Sequence, residues 1–128
     1  MAACCGSVNA GERAWTQDAV SPAINYRNVA VAARYTPKAS ATPTPASRIT
    51  RVQATHSYRG NVRIQTRLCW SGSERCVSLN GAGVSTHEFD GLNADRAMYL
   101  VHTAVDSRSG PLPSPVFVKG SVVVWYEP

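Results

Sequence analysis

The side chains able to do chemistry in this sequence are few and scattered. Three histidines, His56, His87 and His102, are the first candidates for metal binding or acid–base work. Such roles need converging groups, and no His-x-His pair or His-Glu-x-x-His run brings any two of them together locally. They are read as structural residues, and no metal site or cofactor is expected. A serine nucleophile would need a strained turn such as Gly-x-Ser-x-Gly, which is absent. The carboxylates are Glu12, Asp18, Glu74, Glu88, Asp90, Asp95, Asp106 and Glu127, and no spacing singles out a pair for glycosidase-like catalysis. Glycine-rich loops that cradle phosphate are missing too. The expectation is a protein that is not an enzyme.

The cysteines say more. Cys69 and Cys76 enclose Trp70-Ser71-Gly72-Ser73-Glu74-Arg75, a polar turn with a glycine inside it. Strand-like segments flank it, Val62 to Leu68 before and Val77 to Leu79 after. A chain reversal here sets the two cysteines opposite each other, near the short Cα separation a disulfide requires. Closing so short a loop is worth about 2.5 kcal/mol on the chain-entropy estimate. Half of a zinc site is the competing reading, but no second pair completes a ligand set. The disulfide is preferred, and with it an exported, oxidising location. Trp70 sits inside this hairpin, either as an outward anchor for a partner or folded back over the bridge. Packing is the favoured role for it, as for Trp15, Trp125 and Tyr126, which are expected to plug the core from near the two ends.

Positioning these residues falls to strands. Val62 to Leu68 alternates, with Arg63, Gln65 and Arg67 on one face, as in a half-buried strand. Arg48 to Tyr58 sets Val52, Ala54 and Tyr58 against Arg51, Gln53 and Thr55. Pro22 to Tyr35 alternates in two parts, with a break near Arg27-Asn28 that reads as a bulge or a second strand. Ala97 to Val105 is apolar on both faces, as in a central strand, and Ser121 to Tyr126 is rich in β-branched and aromatic residues. Turn signals separate them. Thr36 to Ser47 and Ser107 to Pro115 each carry three prolines and read as loops, and Asn80 to Gly83 reads as a turn. Gly91 to Arg96 is the best candidate for a single helical turn. The expected fold is all-β, a single-domain antiparallel sandwich of about seven or eight short strands.

Composition fits that picture. The chain has 128 residues, 44% hydrophobic and 16% charged, which is enough for one core and argues against disorder. Its formal net charge is +5, favouring acidic partners or anionic headgroups. The Lys and Arg residues are dispersed rather than clustered in an arm, so no nucleic-acid partner is expected. The longest apolar run, Val122 to Tyr126, is far short of the roughly 20 residues of a membrane helix, and any membrane association is expected to be peripheral at most, to the inner membrane on the resemblance described next. Residues 1–10 look like the end of a signal peptide, with the small residues Val8 and Ala10 flanking Asn9 at the cleavage positions and Gly6-Ser7 before them. The domain then spans 11–128, and Cys4 and Cys5 are absent from the mature chain. A rival reading, ranked second, places a lipid on Cys4.

An ordered series of short motifs resembles the flagellar protein FlhE family. It runs from Ala14-Trp15 and Asn25-Tyr26-Arg27 through Arg67-Leu68-Cys69, Arg75-Cys76-Val77, Leu79 and Gly81. Thr86-His87-x-Phe89 follows, and Val122-x-Val124-x-Tyr126 ends the series. The resemblance spans nearly all of 11–128, departing in the proline-rich Thr36–Ser47 loop and in Cys4 and Cys5. It implies a periplasmic β-sandwich linked to the flagellar type III export apparatus, whose family members are associated with limiting proton leakage through the export gate or with a chaperone-like role. Partners of that kind are an export-gate membrane protein or a rod subunit. Cys69 and Cys76 match the family's cysteine pair. Thr86, His87, Glu88 and Phe89, with Trp70, are the candidate partner-binding residues, since a polar and aromatic edge after two glycines suits an interface. The equally weighted alternative has Phe89 capping the core and His87 bonded to backbone. A second class of function stays open, a binding module for an acidic glycan or cell-wall polymer using the Arg63/Arg67 face and Trp70. The processing expectation has a direct check: N-terminal sequencing of periplasmic material should read Gly11-Glu12-Arg13-Ala14-Trp15, whereas a lipid-modified chain starting at Cys4 establishes the rival.

Overall fold

Alternation of apolar and polar residues, the main signal in the sequence, becomes ten β-strands. The computed structural model describes residues 13–37, 43–72 and 75–128, so residues 1–10 with Cys4 and Cys5 lie outside it. The strands are β1 (Arg13–Val20), β2 (Ile24–Tyr26), β3 (Ala30–Tyr35), β4 (Arg48–Tyr58), β5 (Ile64–Trp70), β6 (Arg75–Ser78), β7 (Gly83–Thr86), β8 (Met98–Ala104), β9 (Pro111–Val116) and β10 (Val118–Glu127). Two antiparallel four-stranded sheets face each other, in the orders β1-β10-β4-β7 and β3-β8-β5-β6, and β2 pairs with β9 in a small third sheet. The fold is the expected β-sandwich, with more strands than expected. Among the described strands, β5 and β6 are the one pair of sequence neighbours that share a sheet. Their register sets Cys69 opposite Cys76, and the disulfide joins them across a Cα separation of 4.1 Å.

The main core lies between the two large sheets. From the first come Trp15, Val52, Ala54, Val122 and Val124, and from the second Tyr35, Leu68, Met98 and Leu100. A smaller cluster, Ile24, Ile64, Ala104, Val116 and Val118, sits beneath the β2–β9 sheet. Strand β10 is central to the first sheet, and every second residue from Val118 to Tyr126 is buried. Gly120 is one of these, and the absence of a side chain there is what lets the second sheet come close. A Cβ at Gly120 would strike the Tyr35 hydroxyl and come within 2.7 Å of Leu100 Cδ1. Burial, and then the charge of Asp18, push the Tyr35 hydroxyl up to about 12, so it sits neutral in the core.

Several expectations are corrected. Ser107 to Pro115 was expected as a loop, but Pro111–Val116 forms β9, which tolerates its prolines because it pairs on one side only, with β2. Gly91 to Arg96 makes turns and no helical turn. Trp125 is not a core plug. It alternates outward on β10, and its ring lies 3.8 Å from the Arg51 guanidinium carbon on β4. The break near Arg27-Asn28 separates β2 from β3, which belong to different sheets. Asn28 takes a positive φ of 62° there, and its side-chain amide donates to the Asp106 and Arg108 carbonyls.

One polar chain crosses the sandwich. Thr66 on β5 is within 2.8 Å of His102 Nδ1 on β8 and 3.4 Å of His56 Nδ1 on β4, and His56 Nε2 reaches the Gly81 carbonyl at 2.9 Å. His102 is wholly buried, and burial first, then the neighbouring His56, lower its pKa from the ordinary 6.5 to about 4. The unfolded chain therefore takes up a proton below pH 6.5 that the folded chain refuses. Stability from this residue is complete above about pH 6.5 and is lost as pH falls towards 4, at about 1.4 kcal/mol per unit of pKa difference. The unfolding free energy from urea titration should fall by on the order of 2–3 kcal/mol between pH 7.5 and 4.5, and His102→Gln should flatten that slope whatever its effect at neutral pH. Equal slopes in both proteins would refute the assignment. For the sheet contact, Gly120→Ala should lower unfolding stability by about 1–3 kcal/mol. Adding Tyr35→Phe should restore part of it, because the two positions meet.

Candidate functional site

The Thr86–Phe89 segment begins at the end of β7, an edge strand paired with β4. The Thr86 hydroxyl accepts from the Glu88 backbone N–H at 3.0 Å, which tightens the turn. His87 Nδ1 donates to the Thr50 carbonyl at 2.8 Å and lies 3.0 Å from an Asp90 carboxylate oxygen. Phe89 is buried in the main core. The loop that follows seals this end of the sandwich. Trp15 Nε1 donates to the Ala94 carbonyl, Trp70 Nε1 to the Asn93 carbonyl, and Ile49 N–H to the Leu92 carbonyl. Phe89 thus holds the position of a core cap and His87 that of a latch on β4, while the outer parts of His87 and Glu88 remain exposed on the surface.

Trp70 and the Arg63/Arg67 face do not form one surface. Along β5, Ile64, Thr66, Leu68 and Trp70 share the inward parity, whereas Arg63 and Arg67 are exposed with Gln65. Trp70 packs against the main core, with the Arg96 guanidinium carbon 5.6 Å from its ring. The histidines also divide. His102 and Thr66 are buried, while His56, at the outer end of the same polar chain, is half-buried and bonds the Gly81 carbonyl. His87 lies on the sealed end instead. Among the described residues, no group of three or more His, Cys, Asp or Glu side chains is placed to hold a metal ion.

A group of four arginines lies at the opposite end of β5, and sequence reading missed it. Arg27, Arg59, Arg63 and Arg108 line a groove of about 390 Å³ beside the β2–β9 sheet, above Val62 and Leu112. Asp106 is the one carboxylate of its lining. It lies 3.4 Å from Arg27 Nε and 3.4 Å from Arg108 Nε. Hydrogen bonds from the Arg108 backbone N–H and guanidinium, with the charges of Arg108 and Arg27, hold this carboxyl below its usual range. These arginines are dispersed along the sequence and meet only through the turn at Gly60 and the loop after β8. The one local signal was Asn28, whose amide clamps that loop from the far side of the Arg27 turn.

No family model and no curated protein matches the chain. The solved structures do. The crystal structure of FlhE superimposes with a TM-score of 0.75 at 26% identity, covering 92% of this chain and 99% of that one. A chain in the crystal structure of the Aeromonas sobria serine protease ASP with its chaperone ORF2 gives a TM-score of 0.56 at 12% identity. The structure of the A. sobria serine protease gives the same two values. Both matches cover 27% of the larger chain, and at that identity they share the fold alone. The FlhE match differs from them in spanning both proteins end to end. The resemblance to the FlhE family, first carried by an ordered series of short motifs, holds through the three-dimensional structure, in which this chain is similar to FlhE over nearly its whole length.

Proposed function

We propose that this protein is a periplasmic accessory protein of the flagellar type III export apparatus that limits proton leakage through the export gate. The observation that carries the reading is the FlhE match over 92% of this chain and 99% of that one. The Cys69–Cys76 disulfide fits an oxidising compartment. On this reading the protein is not an enzyme. A domain of this kind influences proton flow by occluding or steadying a membrane-embedded path, so its effect depends on that path being present. A chaperone-like role towards a flagellar component is the neighbouring form of the same proposal, distinguished by a phenotype in secretion rather than in pH. The contact surface we assign includes the exposed parts of His87 and Glu88, which sit on the firmly held β7 end.

Deleting the gene should acidify the cytoplasm of flagellated cells at low external pH, and removing the export gate as well should abolish the effect. Acidification that persists without the gate would refute the proposal. A protein carrying His87→Ala and Glu88→Ala should remain folded and exported yet fail to restore cytoplasmic pH. Full restoration would move the contact elsewhere on the surface and reject this assignment.

A further inference from the structure

The end of the sandwich opposite the sealed loop combines unbalanced positive charge with protruding apolar side chains. Four guanidinium groups line the groove and share a single carboxylate, Asp106. Asp106 is already engaged by Arg27 and Arg108. Arg59 and Arg63 have no ion pair among the described residues, and both are exposed. A second depression of about 550 Å³ adjoins this groove, sharing Arg59, Pro115 and Val116 and adding Val20, Phe117 and Lys119. Phe117 is the single residue between β9 and β10, and with both its neighbours turned into the core its ring is 52% exposed. Val20, at the end of β1, pairs with Lys119 and is 55% exposed. Exposed apolar side chains grouped beside unpaired cations make a surface that a partner can cover.

We propose that this end of the molecule docks on an anionic phospholipid surface. Headgroup phosphates meet the guanidinium groups of Arg59 and Arg63, for which the carboxylate-poor groove offers no internal competitor, and the ammonium of Lys119 in the adjoining depression. Phe117 and Val20 enter the boundary between headgroups and acyl chains. An acidic polypeptide would satisfy the charges equally well. The two apolar residues favour the bilayer, because they protrude beside the groove instead of forming a pocket that an inserted side chain could fill. The inference stands on this surface alone and not on the flagellar reading.

The test is sedimentation of the full chain with vesicles of phosphatidylglycerol and phosphatidylcholine, against phosphatidylcholine alone and against soluble polyglutamate. Binding should require the anionic lipid and be lost near 1 M salt, where the screening length is about 3 Å. Each basic residue near the surface is worth about fivefold in affinity. The double variant Arg59→Glu, Arg63→Glu should therefore weaken binding by more than about 30-fold. Phe117→Ser should weaken it by about tenfold, leaving polyglutamate binding unchanged. Both sites are exposed, so the variants should keep the wild-type thermal transition. Failure to bind anionic vesicles overturns the proposal, as does binding that survives the arginine substitutions. Tight polyglutamate binding with no contribution from Phe117 to either ligand overturns it in favour of an acidic protein partner.

Discussion

The architecture depends on the close approach of two sheets over β10. That strand is hydrogen-bonded on both sides, to β1 and to β4, and presents an unbroken row of inward positions from Val118 to Tyr126. Because the side-chain period of a strand is two, a slip of one residue would turn that row to solvent and bring Lys119 and Trp125 inside. Gly120 adds a steric condition to the hydrophobic one. It is the gap in the row into which Tyr35 and Leu100 of the facing sheet fit, so register, sheet spacing and the placement of a buried phenol are fixed together. The remaining elements are arranged around this contact, with Trp15 and Phe89 closing one end of the core and Ile24 and Val116 the other.

The two ends are built for different purposes. At the sealed end, side chains donate inward to carbonyls of the 87–97 loop, and the aromatic rings of Trp15, Trp70 and Phe89 are turned into the core. The indole N–H groups there are consumed by the protein itself, and the outer parts of His87 and Glu88 face outward from the turn after β7. At the other end, arginines outnumber their one carboxylate, and Phe117 is pushed outward by the tight junction between β9 and β10. Interactions left unsatisfied within the chain, rather than those it completes, mark where another molecule has something to gain.

Much of the fold was legible in the sequence because burial writes a period of two. Ser121 to Tyr126, Arg48 to Tyr58 and the Cys69–Cys76 hairpin were read from alternation and turn chemistry, and the structure has strands at each. The misses have physical causes. β1, Arg-Ala-Trp-Thr-Gln-Asp-Ala-Val, is an edge strand with one deeply buried residue, Trp15, so its alternation is faint. β9 was hidden by Pro111, Pro113 and Pro115, which rule out a central strand and not an edge. Trp125 was assigned to the core by its size, although its position, one residue from Tyr126, already set it on the opposite face. The candidate site was less legible. The Phe89 cap was among the readings considered for its segment, but the four arginines of the groove come from three separate segments, and no local pattern announces it.

The position of β10 also orders the events by which the molecule can form. The central strand of the first sheet is the last strand in the sequence, and β1, β4 and β7 depend on it directly or through one another. A chain delivered from its N-terminus can pair β4 with β7 early, but β1 has no partner in the first sheet until β10 emerges. Of the early strands, only β5 and β6 have a sequence neighbour to pair with locally, and long-range pairings are slow because loop entropy must be lost before contacts repay it. The second sheet and the β4–β7 pair can therefore form without β10, whereas the joining of β1 to β4 waits for it.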